Sequence, residues 1–549
     1  MVEESEALAG SAEHFLSSAL LLLPTALEKA RSALGFAGRW KSIAAKLELV
    51  APALNDLSGH PCFARHALCR ELLQSVAATL TEAVELADRC GDPSVGKLRM
   101  QSDLDALAGK LDLNLRDCGL LVKTGVLGEA ALPAASAVRP GEAESVRELL
   151  ARLQFGQDEA KHRALDGLLE AMREDEKGVT AVICRSNVAA LIQLLTAASP
   201  MVREKAATAI CSLVESGNWD TLLVSEGTIP PLIRLLESGS FVAREKAVLS
   251  VQKLSTSAVT ARSIASHGGI PPLIDLCQVG DSISQSAAAA ALKNLSAVPE
   301  ARQTLVDEGI VRVMINVLDY GVVLGSKEQA AECLLQLTSG AEKFRQLIVS
   351  EGGIRSLLAY LDGPLPPEPA IAAVKNLVGS VSTESLISLG LLPRLANLLK
   401  NGSLMAQQTA SAAVCKISGS LEIKKLVGES GCLPSLVNML EAKSNSSREI
   451  AAQAIASLIA YPRNGNEVKK EDKCVPNLVQ LLDPSPQNTA KKHAVACLMA
   501  LSSSKKCRKV MISYGAIGYL KKLSETDVAA SKKLLERLER GKLKRFLFH

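Results

Sequence analysis

The sequence predicts an all-α protein, a solenoid of stacked helical repeats that follows a separate helical bundle. Three observations predict it. An apolar marker residue, placed just after a glycine in most units, recurs at Val188, Ile229, Ile270, Val311, Ile354, Leu392, Leu433, Val475 and Ile517. The intervals between these markers are 41, 41, 41, 43, 38, 41, 42 and 42 residues, and a fixed period of ~40–47 residues marks a helical array. Within each interval the apolar residues keep helical spacing, as at Ala247, Val248, Val251 and Leu254, not the alternation of a strand. Hydrophobic residues make up 48% of the 549 and aromatic residues only 3%. The core is therefore Leu, Ile, Val and Ala, which suits closely stacked helices and argues against an aromatic-lined ligand pocket.

Residues 1–125 lack the period. Helical patterns run over 12–33, 38–57, 62–90 and 98–124, separated by Gly35, by Ser58-Gly59-His60-Pro61 and by Gly91-Asp92-Pro93. Pro24 and Pro52 are expected to kink the first two. Four helices with short connections read as an antiparallel bundle, with Trp40, Ile43, Leu47, Val50 and Leu54 as the apolar stripe of the second. Residues 126–144, rich in Ala, Gly and Pro, read as a linker.

Residues 145–525 carry the array. Its first unit, over Ser145–Leu153 and Ala160–Met172, is degenerate, as expected where one face meets solvent. A regular unit starts with a short helix such as Trp219–Glu226, which Gly227 stops by taking the left-handed conformation. Pro230 and Pro231 open a second helix, where a missing N–H costs nothing. Ser238-Gly239-Ser240 then turns the chain into a longer third helix. Gly321–Gly325 and the prolines at 364, 366, 367 and 369 interrupt this pattern, and a bend or change of twist is expected near 320–370. In residues 526–549, an amphipathic helix over Val528–Leu538 caps the last repeat, and Gly541–His549 forms a basic, aromatic tip.

The glycine bend, the Ile-Pro-Pro-Leu-Ile second helix (270–274) and the Ala-Leu-Lys-Asn-Leu-Ser third helix (291–296) resemble armadillo repeats. The resemblance covers 145–525 and implies a right-handed superhelix of about nine repeats. HEAT repeats are the structural alternative, but they usually lack the glycine break. The helix ending Glu82–Cys90, a Gly/Ser break and Lys97-Leu98 resemble the N-terminal domain of plant U-box/armadillo ubiquitin ligases. Those ligases place a U-box between this domain and the repeats. The stretch 126–144 is several times too short for one, so the resemblance implies a ligase-like layout without the module that recruits the conjugating enzyme.

Charge and motifs narrow the function classes. The net charge is +4, which implies no general grip on nucleic acid. The positive charge is concentrated at one end, because residues 521–549 hold nine Lys/Arg against four Asp/Glu. Thirteen scattered cysteines with no Cys-x-x-Cys pair fit a reducing compartment, so the expected location is cytoplasmic, with access to the nucleus. Cys211, Cys333, Cys415 and Cys497 read as small buried residues of third helices. No secretory signal, membrane span or lipidation motif is expected. His60, Cys62, His66 and Cys69 lie within ten residues. A third bundle helix beginning at Cys62 would put three of them on one face, yet the spacing fits no zinc finger, and no metal or other cofactor is expected. No phosphate loop, zinc-protease helix or nucleophile elbow occurs, so no catalytic residue is assigned and the chain is read as non-enzymatic.

The armadillo resemblance implies a binding groove lined by third helices, in which a repeated asparagine holds an extended peptide. The matching column is Ser212, Lys253, Asn294, Gln336, Asn376, Lys416 and Ser457, and only Asn294 and Asn376 keep the family residue. Four residues earlier, where nuclear-import adaptors carry tryptophan, stand Thr208, Leu249, Ala290, Glu332, Ala372, Ala412 and Gln453. Import of basic signals is not implied. Lys253 and Lys416, with Lys293 and Lys375, suggest a mixed or mildly basic groove for acidic or polar segments, or simply a solvated helix face. The main expectation is a scaffold or adaptor for other proteins, with no specific nucleic acid partner. A substrate-recruiting factor in ubiquitination is the first alternative. The second is a membrane-peripheral tether touching anionic lipid through Lys542, Lys544 and Arg545.

Overall fold

Helix start signals place the first elements. In the computed structural model, Ser11 accepts a hydrogen bond from His14 N–H and opens α1 (Ala12–Ser32). Gly35 and Phe36, both left-handed at φ +97° and +50°, turn the chain into α2 (Ala37–Ser58). The helices α3 (Ala67–Arg89) and α4 (Lys97–Lys123) follow. The structure describes residues 11–60, 63–65, 67–90, 97–123, 140–154, 158–525 and 530–546. It divides into two compact units, 1–250 and 251–549.

In the first unit, α1 packs on α3 and α2 on α4, with α1–α2 and α3–α4 closing the square. Trp40, Ile43, Leu47 and Leu54 of the predicted stripe are at most 2% exposed at its centre. Both α1 and α2 run through their prolines. Arg39 grips Asp105 with two hydrogen bonds, at 2.8 and 3.1 Å, and Lys110 meets Glu82 at 2.6 Å. The helix that was to gather His60, Cys62, His66 and Cys69 begins at Ala67, after a short 3-10 turn at Phe63–Arg65. Cys62 and His66 lie outside the described residues.

The stretch read as linker is shorter than the sequence suggested. Its last residues belong to a helix over Pro140–Arg152, because proline at a first helical position costs no hydrogen bond. Residues 124–139 lie outside the described part. Arg152 holds Glu71 of α3 at 2.8 Å, and Ala151 joins the bundle core, so the start of the array is anchored to the bundle.

The repeat is a three-helix unit, and each of the nine markers falls in the first turn of a second helix. Glycines 227, 268, 309, 352, 390, 431 and 515 end first helices at φ +80° to +84°, a region where a Cβ would clash with the carbonyl. In the second unit the third helices Ser282–Ser296, Leu324–Thr338, Glu368–Leu377, Leu404–Ile417, Asn445–Leu458 and Lys491–Leu501 stack in sequence. Alanines at 287–291, 330, 331, 370, 373, 410 and 413 are almost fully buried and let the backbones approach. The helix Ser531–Phe546 packs Leu534 and Leu538 against the last unit. Side chains beyond Arg540, and residues 547–549, are outside the description of the basic tip.

The third helix Glu368–Leu377 is a turn shorter than its neighbours. Pro366 and Pro367 delay its start, and Gly379, at φ +105°, follows its early end, where Val378 and Val381 form an isolated bridge.

Cys211, Cys333 and Cys497 are buried as expected, whereas Cys415 is half-buried. Burial pushes the thiols of Cys69, Cys118, Cys333, Cys415 and Cys474 up from 9.0 to about 12. A raised folded value means the stabilising protonated form is fully present below pH ~9 and lost as pH rises through the folded value. The urea midpoint is expected to be flat from pH 7 to 8.5 and to fall steadily above pH 9. A midpoint constant to pH 11 would contradict this burial.

Candidate groove on the third helices

The column Lys253, Asn294, Gln336, Asn376, Lys416 and Ser457 runs along the stacked third helices of the second unit, one residue per helix and half-buried or exposed at every position. Ser212 holds the same register in the first unit, where its hydroxyl donates to Thr208 O at 3.2 Å. The structure shows where the two family asparagines point. Asn294 Nδ2 donates to Ser255 Oγ at 2.9 Å and to Gln252 O at 3.4 Å. Asn376 Nδ2 donates to Thr338 Oγ1 and Ser339 Oγ at 3.3 and 3.4 Å. Lys416 Nζ donates to Lys375 O at 3.0 Å. Each reaches back to the end of the preceding third helix, so these side chains join neighbours as well as face the groove.

A second column went unnoticed in the sequence. Eight residues before each first-column position stand Glu204, Glu245, Ser286, Glu328, Glu368, Gln408 and Glu449, all half-buried. These side chains reach forward. Glu204 accepts from Ser240 at 2.8 Å, Glu368 from Ser403 and Glu449 from Thr489, while Gln408 Nε2 donates to Ser447. Ser240, Ser403 and Ser447 belong to the starts of the next third helices, where a hydroxyl partner fixes the first turn. The eight-residue offset was the available signal, but glutamate early in a helix reads first as a partner of the helix dipole.

Third-helix carbonyls are also capped. Arg302 donates to Ser296 O at 2.8 Å, Arg508 to Ser502 O at 2.6 Å, and Arg345 to Thr338 O and Gly340 O at 3.2 and 2.8 Å. Where Glu368–Leu377 ends early, a polar cavity of about 530 Å³ opens between Thr338, Glu342, Arg345, Asn376, Ser380 and Lys416. A hydrogen bond from Ser380, then one from Arg345, holds the Glu342 carboxyl below its usual range. The cavity therefore brings Asn376 and Lys416 together beside a matched Arg345–Glu342 pair, leaving Lys416 as the cation without a carboxylate partner among the described residues.

Among the described residues no cluster of His, Cys, Asp and Glu could hold a metal, and no helix is long and apolar enough to cross a membrane.

Residues 261–297 match the armadillo/beta-catenin-like repeat family, a span running from the first helix of one unit through the end of its third. One unit of the array is thus similar to an armadillo repeat. Residues 17–126 match a family described as Domain of unknown function (DUF7032), which spans the four bundle helices. No curated protein matches the chain by sequence. Among solved structures, an engineered protein from the Northeast Structural Genomics Consortium is 24% identical. It covers 72% of this chain and 98% of its own, with a TM-score of 0.61, and it shows the fold alone. A designed armadillo repeat protein is 22% identical, covering 42% of this chain and 99% of its own with a TM-score of 0.39.

Proposed function

We propose that this armadillo protein is a non-enzymatic scaffold that holds an extended segment of another protein along the third helices of its second unit. Armadillo arrays generally serve protein–protein interaction. The observation that carries the reading here is the polar cavity at 338–416, where two residues of the predicted column line an open groove. Lys253, Lys375 and Lys416, which no carboxylate pairs among the described residues, suit polar or acidic segments. The buried, unpaired thiols fit a reducing compartment, and we place the chain in the cytoplasm with access to the nucleus.

The test uses Lys253→Gln with Lys416→Gln, because replacing Asn294 or Asn376 would also cut bonds between repeats. Proximity labelling in native cells compares this variant with the intact chain. A set of partners is expected to disappear while the melting temperature stays within ~2 °C. Partners that all persist would move the working surface to the bundle or the tail and end this reading.

A further inference from the structure

The two columns lie on the same helices and carry opposite charge. Eight residues of helix separate them by ~12 Å. On the far edge Glu328, Glu332 and Glu368 are half-buried on neighbouring third helices. Lys293 pairs with Glu332 at 3.4 Å and Ser403 donates to Glu368, whereas Glu328 has no partner among the described residues. Beside them the Tyr360 hydroxyl is buried without a hydrogen bond, on a residue only 7% exposed. Burial, then the fields of Glu328, Glu332 and Glu368, push that phenol up to about 12. The phenol therefore stays protonated and adds no charge, and the acidic edge keeps an unpaired carboxylate at Glu328. On the near edge Lys375 and Lys416 have no carboxylate partner among the described residues, and Arg345 is already matched by Glu342.

An extended chain turns successive side chains to opposite sides and advances ~3.3 Å per residue. Stacked helices lie ~8–10 Å apart, so about three residues cross one repeat. Because three is odd, residues that meet neighbouring repeats face opposite edges. We infer that this groove selects an extended partner segment carrying a basic and an acidic residue three apart, the basic one against Glu328 and Glu332 and the acidic one against Lys375 and Lys416. The inference rests on the groove reading and narrows it from acidic or polar segments to mixed-charge ones.

Fluorescence anisotropy with the full chain tests it. The probes are nine-residue serine-based peptides carrying Lys-x-x-Glu, Glu-x-x-Lys, Glu-x-x-Glu or Lys-x-x-Lys. One of the two mixed peptides is expected to bind about five- to tenfold tighter than either like-charge peptide, the size of two half-buried ion pairs. Glu328→Gln with Glu332→Gln should erase its advantage over Glu-x-x-Glu. Lys375→Gln with Lys416→Gln should erase its advantage over Lys-x-x-Lys. If Glu-x-x-Glu binds as tightly as the mixed peptides and responds only to the lysine changes, the two-edged grip is wrong and the groove reading stands. If no peptide responds to any of these substitutions, both fall. Unchanged circular dichroism melts keep either result from being a folding effect.

Discussion

Trp40→Ala is expected to destabilise the N-terminal bundle by ~3–5 kcal/mol, the cost of emptying a large aromatic site in a packed core. Trp40 is 2% exposed among Ile43, Leu47 and other fully buried residues, and its Nε1 donates to Cys90 Sγ at 3.3 Å. The loss therefore combines a cavity with the removal of the N–H that Cys90 Sγ accepts. The chain has two tryptophans, so Trp219 remains as a reporter within the array. Urea unfolding followed by circular dichroism and by Trp219 fluorescence separates two consequences. If the bundle folds by itself, the dichroism gains an early step that the fluorescence lacks. If Arg152–Glu71 and Ala151 make bundle and first repeat one cooperative body, both signals shift together. A change below ~1 kcal/mol in both would contradict the packing described.

Asn464→Ala should be the most damaging polar substitution in the array, at ~2–4 kcal/mol. Asn464 is 3% exposed, and its Nδ2 donates to Lys424 O at 2.7 Å and to Leu458 O at 3.1 Å. One amide thus donates to two carbonyls of the preceding unit, one in its first helix and one at the end of its third. Alanine strips both carbonyls of this donor and leaves Leu458 O with the Tyr461 N–H alone, at 3.1 Å. The site also explains a glycine, since a Cβ at Gly428 would lie 1.9 Å from Asn464 Oδ1. Because a repeat array holds together through nearest-neighbour interfaces, the damage should concentrate at this junction. Hydrogen exchange is expected to speed up in 462–546 and to stay unchanged in 282–417. Uniform acceleration along the whole chain would mean that the junction is not a separable interface.

Much of the fold was legible because the repeat obeys local rules. Gly227 and Gly268 had to end helices, Pro230 and Pro271 could only begin them, and the intervals between such pairs set the unit. The start of α3 was less legible. Helical periodicity continues back to Cys62, but the chain makes a 3-10 turn at Phe63–Arg65 before the helix begins at Ala67. Pro140 was read with the linker by composition, although proline fits the first turn of a helix. In the groove, spacing identified the face on which Asn294 and Asn376 lie. It could not reveal that Ser255, Thr338 and Ser339 take their amide protons first, since that depends on residues 37 to 42 positions away. The glutamate column was hidden for a related reason, because its partners are the hydroxyls that open the following third helices.

The spent amide protons of Asn294 and Asn376 have an evolutionary consequence. An asparagine row with free donors clamps any backbone and leaves side-chain pockets to refine the choice. Here that clamp is committed to holding the array, so on the proposed reading recognition passes to lysines and glutamates whose ionic attractions salt weakens. Exchanging a lysine for a glutamate at one rung would redirect partner choice without rebuilding a core, because these positions are half-buried or exposed. Such a surface can diverge rapidly between duplicated copies while the helices beneath it stay the same.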